Sequence, residues 1–393
     1  MRIRRDIRAA LALLLACAII CTPAPALVTL NLNDGHDHVY VTASLGASHD
    51  SNVFAKNNGP GDFVFTTGLV AEYVRRAGWI GVNGSVGVSG AHFASLKGED
   101  FSNPNFNLEF TKQSGRTTGS LTLSATRSSR ADAAVNIRTT SWNYSAGLNL
   151  AYPIIERFKA TATLGYSASR YVDETALVNL ATYTAAANLY YVYNTERDLN
   201  AGYRYRYTQT SVNDSTTDHN FTVGTSGRII RGLNGSVNVG YQFRVPSNSS
   251  QPTFSGLSAS AATSYAFTRK LTASGQVSKD FSTTATDASV DTTAADLNVK
   301  YAHNSHWSLS LGTGWGESQF LGQGGRIIIS AGPPAILGPN RTDTFVHWDA
   351  GINYSRNEHF KLSFNYSWFR NWSTTPFADF VRAGWNINLN SRL

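Results

Sequence analysis

The run Gly202-Tyr203-Arg204-Tyr205-Arg206-Tyr207 places two guanidinium groups two residues apart among three tyrosines. On an extended strand, residues i and i+2 share a face, so the arginines point one way and the tyrosines the other. Paired guanidinium groups on a wet face attract anions or hold carboxylates. His347 and Asp349 repeat that spacing, with Ser363 and Asn365 further along. A hydrolase built from these four would need its nucleophile and base within hydrogen-bond reach, and the spacing alone does not supply that. Asp34, His36 and His38 could ligate a metal, but Asp-Gly-His-Asp reads more simply as a polar turn. There is no glycine-rich cradle for a nucleotide. The expectation is therefore no enzyme, no cofactor and no metal.

The elements that carry these residues alternate apolar and polar side chains almost without pause. In Val381 to Leu393, Val381, Ala383, Trp385, Ile387, Leu389 and Leu393 take one face, and Arg382, Gly384, Asn386, Asn388 and Asn390 take the other. A strand with one greasy and one wet face, left unpaired, invites aggregation. Closure of the sheet into a transmembrane barrel removes that edge. The same period of two recurs through segments such as Val39–Ala47, Phe63–Tyr73, Thr140–Tyr152 and Phe360–Phe369. The count is about 18 strands, with 16 as the alternative. Short connections, most of them carrying arginine, alternate with longer ones, as periplasmic turns alternate with outer loops. Outward aromatics bracket the short turns: Tyr73 and Trp79, Tyr152 and Phe158, Tyr301 and Trp307, Tyr354 and Phe360. That is the interfacial girdle of a membrane barrel. A propeller would need four short strands in each repeat of roughly 40 residues, where this chain has two long ones.

The fold class expected is all-β, a transmembrane antiparallel up-and-down barrel over residues 38–393. Residues 1–26 read as a cleaved export signal, with Arg2, Arg4, Arg5 and Arg8 before an apolar core and Ala24-Pro25-Ala26 at the cleavage site. Residues 27–37 follow as a short periplasmic segment. Removal of the signal takes with it Cys17 and Cys21, the only two cysteines, which excludes disulfides and thiolate chemistry. It also removes four arginines and Asp6, lowering the net charge from +7 to +4. No basic run is left for nucleic acid. The location expected is the outer membrane of a Gram-negative-type bacterium. Membrane lipid is one partner, and the barrel assembly machinery is another, reached through Trp385, Ile387, Leu389 and Leu393.

Gly46-Ala47-Ser48-His49-Asp50-Ser51-Asn52-Val53-Phe54 resembles the D-x-N-[IV]-[FY] opening of the putative β-barrel porin 2 family. The tract Gly202 to Tyr207, Asp218-His219-Asn220-Phe221 and Gly235 to Arg244 is similar to that family's central region. The resemblance implies an outer-membrane barrel associated with exopolysaccharide production and export, so polysaccharide joins the expected partners. Leu393 stands where barrels of this kind usually carry Phe or Trp.

The inward register places Arg204, Arg206, Arg228, Arg244, Lys300, Lys361 and Arg382 against the acids Glu72, Glu109, Asp296 and Asp349. Two readings stand side by side. One is a weakly cationic lumen that favours anionic solutes. The other is a set of charges that pair across the lumen and stabilise the barrel. The long connection Glu317 to Asp343 is apolar and turn-rich, and Gly324, Arg326, Ile328, Pro333 and Pro334 mark it as a candidate constriction loop. The function expected is a porin-like channel for polar or anionic solutes, extending to polysaccharide export. The runner-up is a non-conducting surface barrel whose outer loops bind a partner.

Overall fold

The computed structural model describes residues 30–32, 37–76, 78–172, 177–212, 214–249, 251–322, 326–327, 335–336, 341–357 and 359–392. Period-two sequences close here into one antiparallel barrel of 18 strands. In chain order these are β1 (Asp37–Asp50), β2 (Asp62–Arg75), β3 (Gly81–Phe93), β4 (Phe101–Lys112), β5 (Thr118–Asp132) and β6 (Ile137–Ile155). Next come β7 (Phe158–Val172), β8 (Leu180–Asn194), β9 (Arg197–Thr210), β10 (Ser215–Ile230), β11 (Leu233–Pro246) and β12 (Phe254–Ala266). The last six are β13 (Leu271–Thr283), β14 (Ser289–Ala302), β15 (Trp307–Leu321), β16 (Thr342–Ser355), β17 (Phe360–Ser373) and β18 (Phe380–Arg392). Every strand pairs with its sequence neighbours, and β18 pairs back onto β1 from Arg392↔Thr42 to Gly384↔Asp50. No described helix is long and apolar enough to cross a membrane.

The face assignments follow from exposure and register together. Leu69 is 52% exposed and Leu257 67% exposed, a cost in water but the expected state against lipid. Their partners across the ladder, Ala43 and Tyr241, share that outer face. Side chains of alternate parity line the inside. Trp79, Tyr152, Tyr193, Phe267, Tyr301 and Trp307 are exposed beside the short turns and form the girdle at that rim.

Several strands run further than the alternation of their apolar residues suggests. Arg127 to Thr139 reads as a loop, yet β5 and β6 stay paired up to Asp132↔Ile137 and leave only residues 133–136 as a turn. Arg127, Ser128, Ser129 and Arg130 carry no apolar face because they stand at or beyond the lipid boundary, where the ladder alone holds the strand. The outer connections are numbered L1 to L9; those used below are L1 (51–61), L2 (94–100), L3 (133–136), L4 (173–179), L7 (284–288), L8 (322–341) and L9 (374–379). The export-signal residues 1–26, together with Asp34, His36 and Leu393, lie outside the described residues. So do Gly324, Ile328, Pro333 and Pro334 of the candidate constriction loop. Its described part is a short antiparallel pairing, Arg326↔Ile336 and Ile327↔Ala335.

The seam between β1 and β18 is staggered. Asp37 to Val41 extend past the pairing with β18, and a three-residue strand, Leu30–Leu32, fills part of that edge through Leu30↔Val39 and Leu32↔Asp37. The expected periplasmic segment 27–37 thus contributes a strand, and the exposed edge is blunted.

Candidate functional site

The inner wall is mostly uncharged and polar. Asn188, Asn200, Asn220, Asn238, Ser258 and Ser260 share one stretch of it, and Glu72, Asn83, Ser85, Asn107, Glu109 and Thr122 share another. The charges predicted to point inward are there, but most are engaged. Arg204 Nη2 lies 2.7 Å from Asp280 Oδ1, and Arg206 Nη1 lies 3.0 Å from Asp280 Oδ2. Arg206 Nε donates to Asp218 Oδ2 at 2.7 Å. Asp218 also accepts two bonds from Arg244, at 2.7 and 2.8 Å. Arg382 forks onto Asp50 with contacts of 2.6 to 3.1 Å.

The pairing of Arg206 and Arg244 has a local cause. β12 and β13 are hydrogen-bonded only as far as Ala259↔Lys279. Above that point β13 leaves β12 while staying paired with β14 up to Thr283↔Ser289, so only its β12-side edge lacks a ladder. A buried carbonyl without a donor is costly. Arg206 donates to the Phe281 carbonyl, and Arg244 Nη1 donates to the Ser282 carbonyl and the Thr283 hydroxyl. The Arg244 guanidinium also stacks over the Phe281 ring at 5.5 Å. Arg244 has no exposed surface, which corrects its reading as a lumen charge in contact with water. It is a clamp on the displaced end of β13. Arg204 keeps about a third of its side chain exposed, 31%.

The other predicted residues spread over the wall. Arg228 is at the turn-side rim, paired with Glu196, so it corrects to a rim position. Lys300 and Lys361 are exposed and form no ion pair among the described residues. Glu72 pairs with Arg392 at 3.0 Å, and Arg392 stacks on Tyr40 at 3.8 Å. Glu109 accepts from Thr111 at 3.4 Å. His347 Nε2 is 3.4 Å from Asp296 Oδ1. Asp349 occupies the space that Gly312 leaves open, where an added Cβ would come within 2.3 Å of its carboxylate. Ser363 stands opposite Asn353, six residues along β16 from His347, or about 20 Å at the rise of a strand. That separation leaves the two unable to act as nucleophile and base. Only Arg326's backbone is described.

Sequence reasoning missed the roof. Val135 at the tip of L3 is 1% exposed and packs with Leu177 of L4, Ala285 of L7, Ile137 and Tyr171. Val178 N–H bonds to the Ala285 carbonyl at 2.8 Å. Asn136 reaches the Ala55 carbonyl of L1 at 2.8 Å. Arg341, just before β16, donates to the Ala134 and Ala133 carbonyls at 2.8 and 3.3 Å while bound to Asp343 at 2.6 and 3.0 Å. Eight strands separate L3 from L7 one way round, and eight separate it from Arg341 the other way. These contacts must therefore pass over the lumen, and L3 is their hub.

The family-like opening motif serves the same roof. Asp50 takes Arg382 across the seam. Asn52, 3% exposed, bonds to the Lys56 carbonyl at 2.7 Å and the Val381 carbonyl at 3.1 Å, and accepts from Lys56 N–H. Val53 is fully buried with Val64, Ala91 and Phe93. L2 is pinned beside it: Asp62 accepts from the Ser95 and Leu96 N–H groups. The Phe93 N–H, and then His92, hold the Asp100 carboxyl of L2 below the usual carboxylate range. Asn52→Ala should cost about 2 kcal/mol, because it removes three bonds and orphans buried carbonyls. The check is trypsin cleavage after Lys56 in the folded protein, faster in the variant than in wild type.

Comparison with curated proteins gives no match. Among solved structures, OccK2 (OpdF) of Pseudomonas aeruginosa in complex with glucuronate is similar at 11% identity and TM-score 0.49, covering 91% of this chain and 98% of that chain. OccAB2 of Acinetobacter baumannii is similar at 11% identity and TM-score 0.48, with 91% and 98% covered. A bacterial polysaccharide outer membrane secretin is similar at 11% identity and TM-score 0.40, with 90% and 98% covered. The family model described as Putative beta-barrel porin 2 matches residues 213–392, from just before β10 through β18. Over those residues the chain is similar to the putative beta-barrel porin 2 family, and its 18 strands close into one antiparallel β-barrel.

Proposed function

We propose that the protein is a conduit for polar solutes whose outer mouth is held shut by its own loops until they part. The observation that carries this reading is the inner wall, with stretches rich in asparagine, serine and threonine, in a barrel of a size that leaves an aqueous channel. An uncharged hydroxyl-rich solute suits that wall, because the arginines of the upper lumen are largely spent on Asp218, Asp280 and two carbonyls. Anion preference then rests on Arg204, Lys300 and Lys361. Polysaccharide export is the extension that the family resemblance suggests, and a deletion strain that still secretes its polysaccharide would remove it. The outward row Trp385, Ile387 and Leu389 on β18 is the part we assign to recognition by the assembly machinery.

The test is planar-bilayer conductance of refolded protein beside Arg204→Ala/Arg206→Ala. Stepwise conductance is expected, with weaker anion preference and larger steps in the variant, because the bridge to Asp280 is gone. A folded barrel that stays silent in both would favour a second reading, a surface protein whose loops bind a partner. The observation behind that second reading is the roof centred on L3.

A further inference from the structure

On the lipid-facing side, Trp142 of β6 is paired with Arg127 of β5 and with Arg170 of β7. The register puts all three on the outer face, in line with exposed Tyr144 and Leu150 on β6 and Leu164 on β7. Their height follows by counting. Tyr152 belongs to the girdle beside the short turns, and Trp142 lies ten residues further along the same strand. At about 3.4 Å per residue and a tilt of about 40°, that is a rise of about 26 Å. The apolar band of such barrels is about 25 Å tall. Arg127, Trp142 and Arg170 therefore sit where the outer leaflet's acyl chains give way to its headgroups.

Two guanidinium groups at that level need anionic partners, and the described residues do not supply them. Among the described residues Arg127 makes one bond, 3.4 Å long, to the Ser102 carbonyl, and its buried Nε has no partner there. Arg170 is exposed and has no partner among the described residues. Among the described residues the nearby acids Glu99 and Asp100 are committed elsewhere, Glu99 to Arg138 at 3.3 Å and Asp100 to His92 at 2.6 Å. Arg370 is a useful contrast. It too faces outward, ten residues along its strand from Phe360, yet Asp379 neutralises it at 2.6 Å and it lies against Trp372.

We propose that Arg127 and Arg170, with Trp142 between them, bind the phosphate of an outer-leaflet lipid headgroup. The two arginines are two strands apart, about 10 Å between backbones, so their side chains can converge on one phosphate or serve two on one headgroup. Each guanidinium offers a forked pair of donors matched to phosphate oxygens. Trp142, stacked on Tyr144 with centroids 6.1 Å apart, gives the sugar and the first acyl carbons an amphipathic bed.

The experiment is native mass spectrometry of the refolded full-length protein with diphosphoryl lipid A, with a dephosphorylated lipid A of the same acyl chains, and with excess inorganic phosphate. Wild type should retain one phosphorylated lipid and release the dephosphorylated one. Arg127→Gln/Arg170→Gln should weaken retention about tenfold, while Arg370→Gln leaves it unchanged and all variants keep the folded-barrel band shift. Equal retention of the dephosphorylated lipid, or equal loss in Arg370→Gln, would overturn the site. Displacement by inorganic phosphate would also overturn it, since the ligand would then be a free anion.

Discussion

Arg244→Ala should destabilise the barrel by about 3–5 kcal/mol, the usual result of removing one partner from a buried ion pair. Three losses coincide at this position. Asp218, almost fully buried, is left with Arg206 alone. The Ser282 carbonyl loses its donor, and the Phe281 ring loses the cation above it. The measurement is the urea midpoint of the band shift between folded and unfolded protein. Arg244→Met/Asp218→Leu should recover part of the loss, because apolar residues of similar size leave no stranded charge. A midpoint unchanged in the single variant would mean that something other than Arg244 holds the upper end of β13 in place.

The second large effect is expected on conductance. Arg341→Ala removes both charge-assisted bonds from the β16 side to the L3 tip, each of a kind that contributes about 1.5–3 kcal/mol. If the roof parts as a unit, a loss of even 1.4–2.8 kcal/mol raises its open population by about tenfold to a hundredfold. Open dwell time in bilayers should lengthen accordingly, with little change in unit step size. The converse variant, Asn136→Cys/Ala55→Cys, should hold the closed level when oxidised and release it on reduction. If Arg341→Ala conducts no more than wild type, the roof is not the barrier and the surface-protein reading gains ground.

The barrel itself was legible because its cause is periodic: one lipid face and one water face force a period of two over 18 segments. Inward parity could be read for the same reason. Partnership could not. Arg204 and Asp280 are 76 residues apart, and Asp280 carries no local mark that its strand leaves β12. Asp218 was visible only as part of a family-like tract. Asp50 and Arg382 were each in view, one in a motif and one on the closing strand, but only closure brings them together. L3 was hidden differently. Its tip is four residues long, and the polar strand below it looks like loop until the ladder is seen. The apolar isoleucines of L8 drew attention instead, and most of that loop lies outside the described residues.

The β1–β18 seam also bears on assembly speed. Arg382 and Asp50 are separated by 332 positions, so bringing the two strands together carries a closure entropy on the order of 5 kcal/mol. Contacts this distant in sequence cannot form until nearly everything between them is in place, which makes closure a late and slow step. A hairpin-by-hairpin sheet would meanwhile present two unmatched edges. The fork of Arg382 on Asp50 and the reach of Asn52 to Val381 then act as a checkpoint on registration. A slip of one residue turns Arg382 toward lipid, and a slip of two keeps the faces but breaks both contacts. Misjoined seams are thereby the less stable product, and the population is sorted toward the one alignment in which both locks engage.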